Sequence, residues 1–292
     1  MLRRQGRNEV WFDAGVMTIL FLLCLAVLIP FWYVIVMSIT PLDVWSRSGG
    51  SLLVPLDKIT FAGYEQLLTS ARLPRSFGVS IYVTVVGTLL NLIVTTMMAY
   101  PLSLPYFRLR TPLTVLILFT LLFQGGLIPD YLLVKNLHLM DTYWALMLPT
   151  LVSAWNLLVM KAFFENLPGE LRDAAKTDGA SEWQVFLDVV LPLSKPILAT
   201  IGLFYAVSHW NEYFHALLYI TSTDKQPLQI VLREILSAGN TNEFVDVNRA
   251  QSMPVQSLRA AAVVIALVPM LIVYPFLQKH FTKGVLIGSI KG

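Results

Sequence analysis

The sequence predicts an all-α polytopic membrane protein, a single transmembrane domain over residues 1–292 with six membrane-spanning helices. Three observations predict it. The 292 residues are 56% hydrophobic and only 13% charged, against about 25% charged in a soluble protein. Mean hydropathy is +0.66. Six apolar stretches, nearly free of charge, lie at about 14–39, 77–104, 113–127, 143–164, 197–220 and 260–277. About 20 apolar residues suffice to cross a bilayer, and lipid offers the backbone no hydrogen bonds, so these stretches are read as helices. The composition excludes disorder, a collagen, a disulfide scaffold and an ordinary soluble enzyme. The net charge of +3 is small and gives no basic tail for nucleic acid. The single Cys24 leaves no disulfide within the chain and no cysteine metal site.

The first stretch follows Arg3, Arg4 and Arg7, as a signal peptide would. Its apolar core is longer than the roughly 7–15 residues of a signal h-region, and no A-x-A site follows. It is read as a retained helix. The second stretch carries Asn91, which either packs between helices or faces a transported solute. The third is short and runs into Gln124-Gly125-Gly126-Leu127-Ile128-Pro129, a stop signal at which a helix ends or bends. Gln124 is there a helix cap or part of a bend near the outer mouth. The fourth leads into a polar segment, and the fifth contains Ser208, His209, Trp210, Asn211, Glu212, Tyr213 and His215. The sixth is followed by Lys279 and Lys283. With the N-terminus in the cytoplasm, more of the 21 basic residues fall inside than outside. The tightest inner loop, 106–111, has Arg108 and Arg110 and no acid. Lys and Arg favour the cytoplasmic side, so both termini are placed inside.

The segment 166–196 leaves the membrane and carries a local design. Pro168 suits a first helical position, and Leu167, Leu171, Ala174 and Ala175 recur at helical spacing. Asp178-Gly179 breaks that helix. Ser181 with Gln184 reads as a capping box for a second one, in which Trp183, Phe186, Leu187 and Val190 share a face. Pro192 and Pro196 end it. The pattern is a helix–turn–helix with one apolar face, packed either on its own membrane helices or on a cytoplasmic partner.

The run Asp173-Ala174-Ala175-Lys176-Thr177-Asp178-Gly179-Ala180, followed by Leu191-Pro192-Leu193 and Pro196, resembles the EAA coupling loop of ABC importer permeases. That loop reads E-A-A-x-x-x-G and then an apolar stretch ending in L-P; Asp173 replaces its Glu. Gly125-Gly126-Leu127-Ile128-Pro129 with Tyr131, Trp210-Asn211-Glu212 and the tail from Lys283-Gly284 to Lys291-Gly292 are similar to carbohydrate importers of the maltose-type class. Within it they resemble the branch that takes complex oligosaccharides, including the smaller permease subunits of bacterial alginate importers. The resemblance implies a multi-pass subunit of the bacterial cytoplasmic membrane. Its partners would be a homologous permease subunit, two ATP-binding subunits and a periplasmic or extracellular solute-binding protein. ATP and Mg²⁺ would be used by the partner chains, and this chain would bind no cofactor. Asp173, Ala174, Ala175, Asp178, Gly179, Ala180, Leu191 and Pro192 would couple to the ATP-binding subunits. Lys283, Gly284 and Lys291 would reach them from a cytoplasmic tail at about 279–292. Gly284, Gly288 and Gly292 make that tail a poor helix, expected to be extended.

A charged acid at the bilayer centre costs roughly 2.5–3.5 kcal/mol. Glu212 and Asn211 therefore face protein or water, as interhelical glue or as a substrate path. In the second case Trp210 and Tyr213 stack on sugar rings from one wall of the helix, and Asn91, Asn211 and Gln124 add polar contacts. For an anionic sugar, Glu212 is structural. The outer loops, 40–76 and 221–257, either cap the bundle or dock the binding protein. The sequence has no G-x-x-x-x-G-K-[ST] phosphate loop, no H-E-x-x-H and no G-x-S-x-G. His138, His209, His215 and His280 do not form a metal-ligand spacing. A self-sufficient secondary transporter and a permease for a non-sugar solute remain the alternatives.

Overall fold

The computed structural model describes residues 7–48, 53–123, 125–237 and 254–289. Every regular element among them is helical. The chain divides into two compact units, Met1–Ala71 with Glu234–Leu267, and Arg72–Arg233 with Val268–Gly292.

In the first unit, α1 (Arg7–Ser38) is a 32-residue helix, about 48 Å long at 1.5 Å per residue. Its apolar side chains are exposed along most of its length, Leu22 58% and Trp32 52%, and among its described side chains only Val36, Met37 and Ser38 at its end are buried. A helix apolar on every face is built for lipid or for another membrane chain. The unit closes around that buried end. Ser38 Oγ meets Tyr64 Oη at 2.6 Å, Thr60 N–H donates to the Ile39 carbonyl at 3.1 Å, and Ser257 Oγ donates to the Thr40 carbonyl at 2.7 Å. α2 (Leu42–Ser48) is tied to the 3-10 turn Leu56–Lys58 by a 2.8 Å Asp43–Lys58 ion pair, and α3 (Ala62–Thr69) follows.

The second unit is organised by α4 (Arg72–Ser103), 32 residues long and packed against α8 (Ala154–Glu165) and α12 (Lys195–Trp210). Between them in the chain come α5 (Arg110–Leu122), α6 (Leu127–Asn136) and the short α7 (Trp144–Met147). One apolar cluster joins Ala99, Tyr100, Leu157, Phe164, Val185, Phe186 and Ile201. A second joins Val79, Val83, Leu146, Met147, Ala216, Tyr219 and Ile230, and takes in α13 (Phe214–Tyr219). Two further helices among the described residues are divided between the units: α14 (Leu228–Ser237) at Arg233/Glu234 and α15 (Val255–Ser289) at Leu267/Val268.

Three helices among the described residues are long and apolar enough to cross a membrane alone, and five crossings result if each of two bent pairs counts as one. The third stretch ends and restarts at its stop signal, as the sequence suggests, whereas the fourth and fifth are interrupted where continuous spans were expected. The fourth stretch breaks between α7 and α8, because Pro149 has no N–H to continue the ladder and its ring crowds the carbonyl four residues back. Ser153 then caps α8, its Oγ accepting from Asn156 N–H at 3.4 Å. The fifth stretch breaks after Trp210. Asn211 turns back to the Val207 carbonyl at 2.9 Å, and Glu212 accepts from His215 N–H at 3.0 Å to start α13; both side chains offer the backbone an alternative to the helix. The third ends at Leu122 and restarts at Leu127 behind Gly126, whose φ is +88.

The expected extended tail is also corrected. α15 runs unbroken to Ser289 and includes Gly284 and Gly288. Glycine costs a helix interior only about 0.5–1 kcal/mol, and Val285, Leu286 and Ile287 between the two tolerate the helix.

The segment after α8 forms α9 (Gly169–Thr177), with Pro168 at the N-cap, one place earlier than the sequence suggested. α9 ends in two bonds, Ala180 N–H to the Ala175 carbonyl and Gly179 N–H to the Lys176 carbonyl, both 3.0 Å. That pairing is a Schellman cap and requires a left-handed residue; Gly179 supplies φ +85. A helical run follows, made of α10 (Glu182–Gln184), the π-helical Val185–Val190 and α11 (Leu191–Leu193). Both halves of the Ser181–Gln184 capping box are formed. The π turn widens the backbone just ahead of Pro192, where the regular ladder cannot continue. The run meets α12 at a bend of 79°.

Candidate functional site

Two of the helix breaks in the second unit, the one at Pro149 and the one after Trp210, meet across α4. Asn91, fully buried on α4, donates from Nδ2 to the carbonyls of Thr150 at 2.7 Å and Leu151 at 2.9 Å. These are groups that the break at Pro149 took out of the helix, so one side chain satisfies backbone that lipid would leave unpaired. The Asn91 Oδ1 lies 2.8 Å from His209 Nε2 on α12. One turn along, Tyr205 Oη accepts from Ser153 N–H at 3.0 Å and pairs with Thr95 Oγ1 at 2.7 Å. Gly87 makes the approach of His209 possible, since a Cβ there would lie 2.6 Å from Nε2.

Beside this network lies a cavity of about 610 Å³ lined by Pro149, Thr150, Val152, Ser153, Trp155, Asn156, Phe204, Tyr205, Ser208 and His209. The volume suits a small-molecule site. Hydroxyls, an amide and an imidazole alternate with aromatic rings, and Trp155 and Phe204 are exposed. No carboxylate is among the lining residues.

The residues read from the sequence as a substrate path take different places. Trp210 is buried edge-on against Phe77 at 5.8 Å, and its carbonyl accepts from Gln229 Nε2 at 3.0 Å. Asn211 caps α12. Glu212 is spent on His215, with 3.0 Å contacts to the backbone N–H and to Nδ1. Tyr213 lies under the Arg233 guanidinium at 5.2 Å. Because α12 stops at Trp210, Trp210 and Tyr213 do not share a helix face, which corrects the expected aromatic wall. Asn91 shapes the network from behind, and Gln124 lies outside the described residues. The sequence reading passed over Thr150, Ser153, Trp155, Asn156 and Tyr205. The usable signal was Pro149 inside an apolar stretch with a capping Ser153 after it.

The segment 166–196 makes the second candidate surface. Asp173, Ala174, Asp178 and Gly179 are exposed, as is Pro192, while Ala175, Ala180 and Leu191 pack on the cluster that includes Tyr100 and Phe186. A polar clasp holds the turn. Lys176 Nζ pairs with Glu182 at 2.5 Å, donates to Tyr106 Oη at 2.9 Å and sits over that ring at 4.5 Å. Tyr106 and Tyr100 hydroxyls donate to the two Glu182 oxygens at 2.8 and 3.2 Å. Burial alone would raise the Glu182 carboxyl; the bonds from Lys176 and Tyr106 outweigh it and hold the group below its usual range. The same bonds, from Glu182 first and Tyr106 second, push the Lys176 ammonium above its usual range. Lys283 and Gly284 lie in α15, and Lys291 is outside the described residues. Among the described residues no group of three metal-ligating side chains comes together.

The chain matches, over residues 76–287, the family described as the binding-protein-dependent transport system inner membrane component. It is 47% identical to Protein LplC of Bacillus subtilis (strain 168), covering 91% of this chain and 90% of that one. It is 41% identical to the polygalacturonan/rhamnogalacturonan transport system permease protein YtcP of the same organism, covering 96% and 98%. In three dimensions it is similar to a chain from the crystal structure of a bacterial ABC transporter involved in the import of the acidic polysaccharide alginate. There the TM-score is 0.88 at 31% identity, over 96% of this chain and 99% of that one. A match across most of the chain, joined to the broken membrane helices and the polar cavity between them, means that this protein belongs to the family of binding-protein-dependent transport system inner membrane components.

Proposed function

We propose that this chain is one of two permease subunits of an ATP-driven importer of oligosaccharides, acidic ones foremost. As a permease subunit it has no catalysis of its own, and ATP hydrolysis belongs to the partner ATPases. The carrying observation is the cavity at 149–156 and 204–209, where backbone unwound inside a membrane bundle is lined with hydroxyls, an amide, an imidazole and aromatic rings. Irregular backbone at membrane depth is tolerated where it lines a cavity. Aromatic rings suit the C–H faces of sugars, and polar groups suit their hydroxyls. The absence of a carboxylate from the lining, with Glu212 turned to His215, leaves the site free of repulsion toward a sugar acid. The relatives named for polygalacturonan, rhamnogalacturonan and alginate point the same way.

In this reading the six apolar stretches are six crossings, three of them broken, with both termini in the cytoplasm of a bacterial inner membrane. The exposed side of α9 and its turn, with Asp173, Ala174, Asp178 and Gly179, seats an ATP-binding subunit; Ala175, Ala180, Leu191 and Pro192 brace the seat. The tail with Lys283, Gly284 and Lys291 reaches the same subunits. Two ATP-binding subunits, using ATP and Mg²⁺, close and rock the helices between inward-open and outward-open states. A homologous permease subunit completes the path. A solute-binding protein docks on the outer loops at 40–76 and 221–257 and delivers the sugar.

The test is uptake by the whole complex, reconstituted with its second permease, ATPases and binding protein, against a panel of neutral and acidic oligosaccharides. ATP-dependent accumulation of acidic members is expected. Accumulation of none of the panel removes the sugar-importer reading.

A further inference from the structure

Asn91 fixes the chemistry of the imidazole it touches. Its Nδ2 lies 2.7 and 2.9 Å from two carbonyl oxygens, those of Thr150 and Leu151. Both oxygens only accept, which settles which end of the amide is nitrogen. The other end, Oδ1, therefore faces His209 Nε2 at 2.8 Å. An amide oxygen also only accepts, so Nε2 carries a hydrogen. In a neutral imidazole one nitrogen donates and the other accepts. The lone pair is then on Nδ1.

Nδ1 has no partner among the described residues, and His209 is one of the residues that line the cavity. The ring lies flat over Gly87, where a Cβ would meet Nε2, Cδ2 and Cε1 at 2.6, 2.9 and 2.9 Å, so its orientation is held by packing as well as by Asn91. No carboxylate is bonded to the ring, and burying an unpaired charge costs more than burying the neutral form.

We infer that His209 is a specificity-determining residue of the cavity. Held by Asn91 as the Nε2–H tautomer, it accepts a hydrogen bond at Nδ1 from a sugar hydroxyl and gives no proton to a carboxylate. Asn91 is the positioning residue. The inference rests on the importer reading and deepens it: at this point the site reads a hydroxyl, and the acidic group of the substrate lies away from His209.

The experiment uses the reconstituted whole complex with trigalacturonate and its carboxyl-reduced counterpart as substrates. His209→Gln keeps a donor near the place of Nε2 and removes the acceptor at Nδ1. His209→Asn keeps a polar atom near the place of Nδ1. Losing one hydrogen bond should raise KM for both substrates about fivefold in the Gln variant with kcat unchanged, and the Asn variant should recover part of it. In parallel, side-chain nitrogen NMR of the histidine-labelled complex should show a neutral Nε2–H ring, assigned to His209 by its loss in His209→Gln.

An imidazolium, an Nδ1–H ring, or an unchanged KM in His209→Gln overturns the inference while oligosaccharide uptake by the unsubstituted complex stands. A KM effect confined to the acidic substrate also overturns it, because His209 would then be reading the carboxylate. No uptake of any oligosaccharide by the unsubstituted complex removes the importer reading and this inference together. If the variants fail to assemble, the unsubstituted complex's spectrum decides, with assignment by Asn91→Asp, which should shift only the ring that touches Asn91.

Discussion

Asp141 shows what one side chain fixes in this protein. It sits between α6 and α7 with φ 57, a left-handed conformation that Asp tolerates better than most residues. Its carboxylate accepts from the N–H groups of Thr221 at 3.1 Å and Ser222 at 2.9 Å, from Ser222 Oγ at 2.5 Å and from Lys225 Nζ at 2.9 Å. The Ser222 hydroxyl, its backbone N–H and Lys225 hold the carboxyl far below its usual range. The folded pKa is depressed, so this stabilisation is fully present above the unfolded value of about 3.9 and is lost as pH falls toward the folded one. Thermal inactivation of the detergent-solubilised complex should therefore steepen below about pH 4. Asp141→Asn should lower stability at neutral pH and flatten that acid limb; an unchanged acid limb would assign it to other carboxylates. This tie is not legible in the sequence, because its partners lie 80 to 84 positions away. Asn91 and Glu212 were conspicuous as polar groups in apolar stretches. Their partners were not, since Asn91 reaches 59 positions to Thr150 and 118 to His209.

Elements were legible where their signals are local. The stop at Gly179 and the box from Ser181 to Gln184 involve residues within five positions of each other, and both formed as read. The spans at 143–164 and 197–220 misled because average hydropathy does not register a break. Pro149 interrupts its stretch by lacking an N–H, Asn211 turns its side chain back onto α12, Glu212 starts α13, and the buried polar network offsets the interruption. The tail misled in the opposite sense, since spaced glycines weaken a helix without ending it. Gly179 makes the element-scale prediction. Its φ of +85 is required by the cap on α9, and no atom lies within 4 Å of where its Cβ would stand. Gly179→Arg therefore costs only about 1–2 kcal/mol of backbone strain, and the clasp of Lys176, Glu182 and Tyr106 still holds the turn. The long cation projects into the space offered to a partner. The complex should assemble and insert, while binding-protein-stimulated ATPase and transport fall at least tenfold. Full stimulation with normal uptake would remove the turn from coupling.

For the whole molecule, the test is which residues meet water as the transporter cycles. Composition placed the chain in the membrane, and spacing placed one loop outside it, but neither located the cavity, which exists because two broken stretches, joined by a bond between residues 52 positions apart, both pack on α4. The structure therefore changes which positions should respond. Thr150, Ser153, Asn156 and Ser208 line the cavity, whereas Trp210 is 5% exposed and packs against Phe77. Single cysteines at these five positions, in a background carrying Cys24→Ser, can be treated with a membrane-impermeant thiol reagent on the reconstituted complex. Alternating access requires the cavity to open to one side at a time. Cysteines at 150, 153, 156 and 208 should label from outside at least fivefold faster with binding protein and a non-hydrolysed ATP analogue than in the resting state, and the cysteine at 210 should label slowly in both. Equal rates in the two states would mean that the cavity is a fixed pocket rather than a segment of the path. Faster labelling at 210 than at the four lining positions would return the path to the aromatic wall first read from the sequence.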